Sequence, residues 1–427
     1  MVLDIDDNHQ ESIVDQDDDN AEVGMDDDAD EEPDFLPIAE DDCETIESSL
    51  LFEKNEDSVL CCCVSQCGSL IATGGLDNSG YVLNSYTGNV LFKCTGHSES
   101  VEFAYVSHDS ELVATGDLDG LVQVWRVRNG ESCFSFHTGS EMRWLEWHKN
   151  SHILFCGTES GEVWVWLVPK GITKTLANPG TSVESGSCTP DETHSIQKYY
   201  QKKLNLNATK NNATFCALTY IKIRFFKCKR AVVGYSNGSV RVLDIKSEAA
   251  VKLDPLSSFS DAVIAVACHP DNVIAIAGSQ DGDVKIFNTN TGKAIHNLSV
   301  EQFNSGEKQS IEAVGFCSSV PHLAMFADVR GTIVIYDTNN QVARHVIRVP
   351  AGVTRFCFPS SSSSVFVGCT DGVIRHYDAL TGKLLAKLVG HSSEVMSLSL
   401  DGSGSILASS SNDKVVRIYN VSSCSKS

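Results

Sequence analysis

The chain has 427 residues, 42% of them hydrophobic, with a formal charge of −23 and a sequence pI near 4.9. That balance excludes a nucleic-acid surface spread over the chain, because phosphate backbones are held by Lys and Arg. No run approaches the roughly 20 apolar residues of a membrane-spanning helix.

In chain order, the first segment is an acidic tail over residues 1–46. The first 47 positions hold 21 of the 56 Asp and Glu residues and no Lys or Arg, which leaves 35 acidic against 33 basic residues in the rest. Such a segment has too little apolar surface to offset chain entropy and is expected to be disordered in isolation. It serves solubility, or it holds a basic partner by attraction that weakens with salt; the tail alone favours neither.

From residue 47 to 424 the chain writes one thirteen-residue phrase eight times: a small-residue strand, a turn built on Asp-Gly or its relatives, then a strand ending in an aromatic or Leu. Examples are ATGDLDGLVQVWR from Ala114, IAGSQDGDVKIFN from Ile276 and FVGCTDGVIRHYD from Phe366. The anchors Leu83, Trp125, Trp166, Leu243, Phe287, Tyr336, Tyr377 and Tyr419 are spaced by 42, 41, 77, 44, 49, 41 and 42 residues, the period of propeller blades. A short apolar stretch before each phrase supplies an inner strand, and an outer strand follows it. Near-continuous apolar strands fit sheets covered on both faces by neighbouring blades. Residues 47–52 are left to act as the outer strand of the last blade. The fold class predicted is therefore all-β, a β-propeller of eight blades, in preference to seven with one degenerate copy.

Two insertions account for the long spacings. One, at about 170–213, is rich in Ser, Thr, Asn and Gly with QKYYQKK at its centre; the other lies around 301–309. Both read as surface loops that leave the blades uninterrupted. Sixteen cysteines do not argue for disulfides, since no apolar leader precedes the acidic start and a reducing, cytoplasmic setting is expected. Cys61, Cys62, Cys63 and Cys67 lack a second pair at zinc-finger spacing. No phosphate loop or nucleophile elbow occurs, and the thirteen histidines are scattered, so no catalytic residue, cofactor or metal site is expected.

The phrases resemble WD repeats, in which a His, a Ser or Thr, an Asp and the terminal aromatic form a hydrogen-bonded tetrad. His391, Ser411, Asp413 and Tyr419 match it; in the second repeat His97, Asp119 and Trp125 match, with Asp117 where Ser is expected. On such rings the face carrying the turns inside the phrases and the loops between blades is the usual docking surface. The candidate partner-binding residues on it are Asp77, Glu99, Asp117, Asp119, Glu141, Glu159, Asp281, Asp371, Glu394 and Asp413. Half of that signal is turn chemistry, because Asp caps its own backbone. Arg126, Arg128, Lys170, Lys174, Lys246, Lys293, Arg344 and Lys383 fall toward the other side. Trp144 belongs to inter-blade packing, or to a peptide anchor if it reaches the channel mouth.

The stretches GHSESVEFAYVSHDSELVATGDLDGLVQVW from Gly96, WLEWH from Trp144, KRAVVGYSNGSVRVLD from Lys229 and RGTIVIYD from Arg330 resemble the angio-associated migratory cell protein family. The resemblance implies a cytosolic eight-bladed WD-repeat propeller whose fungal relatives are chaperones of a newly made large-subunit ribosomal protein; a monomer is expected. The partner expected is thus a basic protein segment, with no direct nucleic acid, no membrane span and no cofactor. A signalling scaffold in cell migration and angiogenesis is the main alternative, a histone chaperone the third.

Overall fold

A computed structural model describes residues 43–176, 180–189, 230–245, 250–252, 258–304, 306 and 308–422. The acidic stretch 1–42, QKYYQKK, Lys246 and the last five residues lie outside them. Eight sheets succeed one another, seven of four strands and one of five. The inner strands of blades 1 to 8 are Val59–Val64, Val101–Val106, Met142–Trp147, Val183–Cys188, Val263–Cys268, Ile311–Phe316, Val353–Cys357 and Val395–Leu400.

The second strand of a blade is the one most enclosed. Leu70–Gly75, Leu112–Asp117, Ile153–Thr158 and Leu323–Asp328 are buried at every residue, as a strand covered on both faces must be. Outer strands such as Ile172–Leu176 are mostly open to solvent at alternate residues. The core is a chain of inter-blade clusters, for example Ile276 and Ile286 of blade 5 against Phe326 and Val334 of blade 6. Each such fully buried side chain contributes about 1.5–3 kcal/mol. Cys62 and Cys156 are buried core residues, and burial pushes the Cys62 thiol up to about 12.

Residues Leu50–Phe52 pair antiparallel with Val416–Asn420, Leu50 opposite Ile418 and Phe52 opposite Val416. Blade 8 is thereby closed by the start of the ring, as expected. The ring begins earlier than residue 47, however. Glu44–Glu47 lies parallel to Leu384–Val389, the outer strand of blade 7, and makes that blade five-stranded. An outer edge offers unpaired backbone groups, and Ile46 packs against the core shared by blades 7 and 8.

The expected insertion at 170–213 also changes. Ile172–Leu176 is the outer strand of blade 3 and Val183–Cys188 the inner strand of blade 4. The remaining stretch, beyond residue 189, connects the first and second strands of blade 4, so it falls inside a blade rather than between two. Val183–Cys188 reads as loop because it is Val-Glu-Ser-Gly-Ser-Cys. Its small residues are required by Trp144 of blade 3: a Cβ on Gly186 would stand 2.5 Å from the indole Cδ2.

The turn glycines have a similar double requirement. Gly120 has φ +92° and a Cβ there would lie 2.2 Å from the Ser140 carbonyl oxygen; Gly372 has φ +79° and meets that of His391 at 2.6 Å. Positive φ and close approach of the next blade's loop both select Gly.

The tetrad is present with a different membership from that expected. In blade 8, His391 Nδ1 is 2.8 Å from Asp413 and Nε2 is 2.7 Å from Ser409, not Ser411. Ser411 donates to the Ser393 carbonyl, and Tyr419 donates to that of Val389. In blade 2, His97 contacts Asp117 at 3.0 Å and Thr115 at 2.8 Å, and Trp125 Nε1 donates to Thr115 at 2.9 Å. Asp117 is therefore the tetrad acid and Asp119 is not.

Candidate functional site

The face formed by the turns within the phrases and the loops between blades carries the candidate acids, but they are not equivalent. Asp117 is fully buried against His97 and accepts the Leu121 amide, which removes it from any surface. Asp77 accepts the amides of Glu56 and Ser79. Asp413 is held by His391 and by the amides of Ser392 and Val415. Asp281 accepts the hydroxyls of Ser260 and Ser279; although burial opposes it, these bonds hold its carboxyl below the ordinary value. Asp371 is gripped at both oxygens by Arg375, whose side chain is 3% exposed. These carboxylates hold turns together.

The remaining five acids are directed outward to different degrees. Glu99 is exposed and accepts no hydrogen bond among the described residues. Asp119 pairs with His137 at 3.1 Å. Glu141 and Glu159 flank Arg143 at 2.9 and 3.4 Å, and Glu394 accepts the side-chain amide of Asn412.

The inner strands add acids that the turn pattern misses. Glu102, Glu184 and Glu312 each follow the buried residue that opens an inner strand, namely Val101, Val183 and Ile311. At each the ladder skips a residue, between Val101 and Phe103, Val183 and Ser185, and Ile311 and Ala313. Such an irregularity re-aims the unpaired side chain. Glu184 and Glu312, with Arg143, Ile264, Arg355 and Phe356, line a central opening of about 280 Å3. Burial raises the Glu102 carboxyl, Arg143 draws it back and Glu141 adds to the rise. The sequence signal is positional, an acid one residue after the first buried residue of an inner strand. Trp144 lines the same opening but is 7% exposed, stacked on Phe155 with centroids 6.0 Å apart. Its principal role is packing between blades 3 and 4.

The basic residues expected on the opposite side follow a partial separation. Arg128, Lys170, Lys293 and Lys383 sit in connections between third and fourth strands, but Asp109, Glu111, Asp271 and Asp401 share that face in other loops. Nor are all histidines scattered: His108, Asp109 and His152 are brought within reach of one another there.

The WD domain, G-beta repeat family matches residues 47–82, 88–126, 253–288 and 382–420. Among solved structures, Sqt1 of Saccharomyces cerevisiae has a TM-score of 0.71 at 19% identity, covering 88% of this chain and 99% of that one. Chaetomium thermophilum Sqt1, solved bound to the N-terminus of the ribosomal protein L10, gives 0.71 at 17%, covering 88% and 100%. At these identities the likeness is one of fold. The angio-associated migratory cell protein of Homo sapiens is 30% identical over 384 residues, 87% of this chain and 80% of its own length, and that of Canis lupus familiaris gives the same figures. The chain belongs to the angio-associated migratory cell protein family.

Proposed function

We propose that the protein is a non-enzymatic chaperone that shields a basic segment of a large-subunit ribosomal protein at the mouth of the central opening. The observation that carries this reading is the set of acids outside the turns of the phrases: Glu184 and Glu312 line an opening that also offers Ile264, Phe356, Arg143 and Arg355, and Glu99 and Glu102 stand just before and at the start of the blade 2 inner strand. Carboxylates over apolar walls suit Lys and Arg, whose stems bury while their heads pair. The same charges repel phosphate backbones. Support also comes from the fold shared with Sqt1, which has been solved with the N-terminus of the ribosomal protein L10. The acidic stretch before residue 43 adds long-range attraction at low salt.

The test is titration of the full chain with a synthetic N-terminal segment of the ribosomal protein, alongside a Glu99→Lys/Glu184→Lys/Glu312→Lys variant. Binding should weaken with salt and fall by at least roughly tenfold in the variant. Binding unchanged by the reversals refutes the site. Recovery from cytosol of membrane-associated regulators or histones, with no basic ribosomal protein, refutes the function in favour of the scaffold or the histone reading.

A further inference from the structure

The face opposite the acidic mouth holds a cluster that this function does not use. His108 and Asp109 lie in the turn between the first and second strands of blade 2, and His152 in the equivalent turn of blade 3. One ring nitrogen from each histidine and one oxygen of Asp109 all lie within 4.8 Å of one another. Asp109 Oδ2 is 2.8 Å from His152 Nε2, and the two imidazole centroids are 5.2 Å apart. Donors on one zinc ion at about 2.0–2.1 Å stand roughly 3 to 3.4 Å from each other. Donors as much as 4.8 Å apart must therefore approach by up to about 1.4 Å to share one ion.

The surroundings hold these groups in place. Asp109 Oδ1 accepts the Ser107 hydroxyl at 2.7 Å and the Glu111 amide at 3.2 Å, which leaves Oδ2 toward His152. The His152 ring meets Trp147 edge-on at 6.4 Å, an apolar wall on one side. On the other side is a cavity of about 410 Å3, lined in part by Glu111, Arg126, Arg128 and His152.

We propose that His108, Asp109 and His152 form a binding site for a divalent transition-metal ion of the zinc class, tying blade 2 to blade 3. Two imidazoles and one carboxylate suit zinc, and the remaining position opens toward the cavity for water or an anion. Coordination through His152 Nε2 requires the imidazole proton that now faces Asp109 to sit on Nδ1 instead, with no net change in the charge of the ring. Because the three ligands come from two blades, the ion binds only the folded ring and stabilises it.

The full chain, reduced and stripped with a chelator, is titrated with zinc by calorimetry and with cobalt by absorption. One equivalent should bind, raise the melting temperature and give a cobalt spectrum without a thiolate charge-transfer band. His108→Ala and His152→Ala should lower the affinity by at least about tenfold and abolish the thermal shift. His152→Gln retains a donor for Asp109, so the loss can be read in a ring whose fold is checked by circular dichroism. Cys67→Ser is the control for thiol binding, since Cys67 is exposed and lies 3.4 Å from Ser110. The proposal is overturned by an absence of saturable zinc binding, by binding indifferent to the histidine variants, or by binding lost in Cys67→Ser.

Discussion

Replacing Thr115 by Val tests how much a complete tetrad stabilises a blade. The polar groups of the blade 2 tetrad fix a single direction for each of its protons. Trp125 can only donate, so Thr115 Oγ1 accepts from it at 2.9 Å. The Thr115 hydroxyl then donates to His97 Nε2 at 2.8 Å, and His97 Nδ1–H donates to Asp117 at 3.0 Å. Asp117 also accepts the Leu121 amide at 2.8 Å. Val keeps the volume of Thr but leaves the indole N–H and the imidazole Nε2 without partners in a buried site. At about 1–3 kcal/mol for each orphaned group, the loss is roughly 2–6 kcal/mol. Ser409→Ala in blade 8 removes the partner of His391 Nε2, while Tyr419 loses the Ser409 hydroxyl but keeps the Val389 carbonyl; its cost is roughly 1–3 kcal/mol. Urea denaturation followed by circular dichroism should place Thr115→Val below Ser409→Ala, and both below the parent, with Thr115→Ser between Val and the parent. Equal midpoints for Thr115→Val and the parent, or a larger loss for Ser409→Ala, would refute the directed chain.

Stability should fall as pH drops from about 6.5 toward 4. Burial lowers His376 to about 4, its ring stacked on Phe366 at 4.2 Å, and burial also lowers His391 against the pull of Asp413. A folded histidine pKa below the unfolded one gives stability that is complete above the unfolded value and lost as pH falls toward the folded one. His376 alone accounts for roughly 3 kcal/mol of that loss, so His376→Leu should flatten the urea midpoint between pH 6.5 and 4; an unchanged slope contradicts this. The lowered carboxylates Asp281 and Asp401 act below about pH 4, outside that window. Gly186→Val should cost about 1–3 kcal/mol by driving Trp144 off its stack, with part recovered by Trp144→Leu; full stability of the single variant would show that the inner strand of blade 4 is not under that indole. Phe52→Ala empties the closing strand of a residue 3% exposed and edge-on to Tyr81 at 5.4 Å. It should cost about 3–5 kcal/mol and appear first as amide exchange in blade 8; uniform protection across the ring argues against closure by residues 50–52.

The repeat made the ring legible because each phrase carries both its strands and its turn. Eight anchors, the spacing near 42 and a spare strand within residues 47–52 suffice for eight blades and their closure. What the pattern does not encode is whatever is decided by a neighbour. Val183–Cys188 lacks apolar alternation because Trp144 of the preceding blade covers it, so the strand reads as loop and the insertion is displaced. Thr115 and Ser409 each stand ten residues before their anchor, yet Asp117 and Asp413 serve the same imidazole geometry from different positions in the turn. The His108, Asp109 and His152 cluster is equally hidden, since two blades must pack before the second histidine arrives.

The acids illustrate why the conspicuous part of a repeat is a poor guide to its partner. Asp77, Asp281, Asp371 and Asp413 recur because the turn uses them, and their oxygens are engaged by backbone amides, serine hydroxyls, His391 or Arg375. A ligand cation there competes with bonds that stabilise the blade, so much of the gain on binding is offset by what is broken. Glu99, Glu102 and Glu184 accept no such bond among the described residues. Pairing with an incoming Lys or Arg costs them only water, and near the opening that water is already partly excluded. Charge of one sign on the same face thus divides into acids that build the ring and acids that can bind, and for Glu102 and Glu184 the division is set by the strand-opening irregularity rather than by the turn.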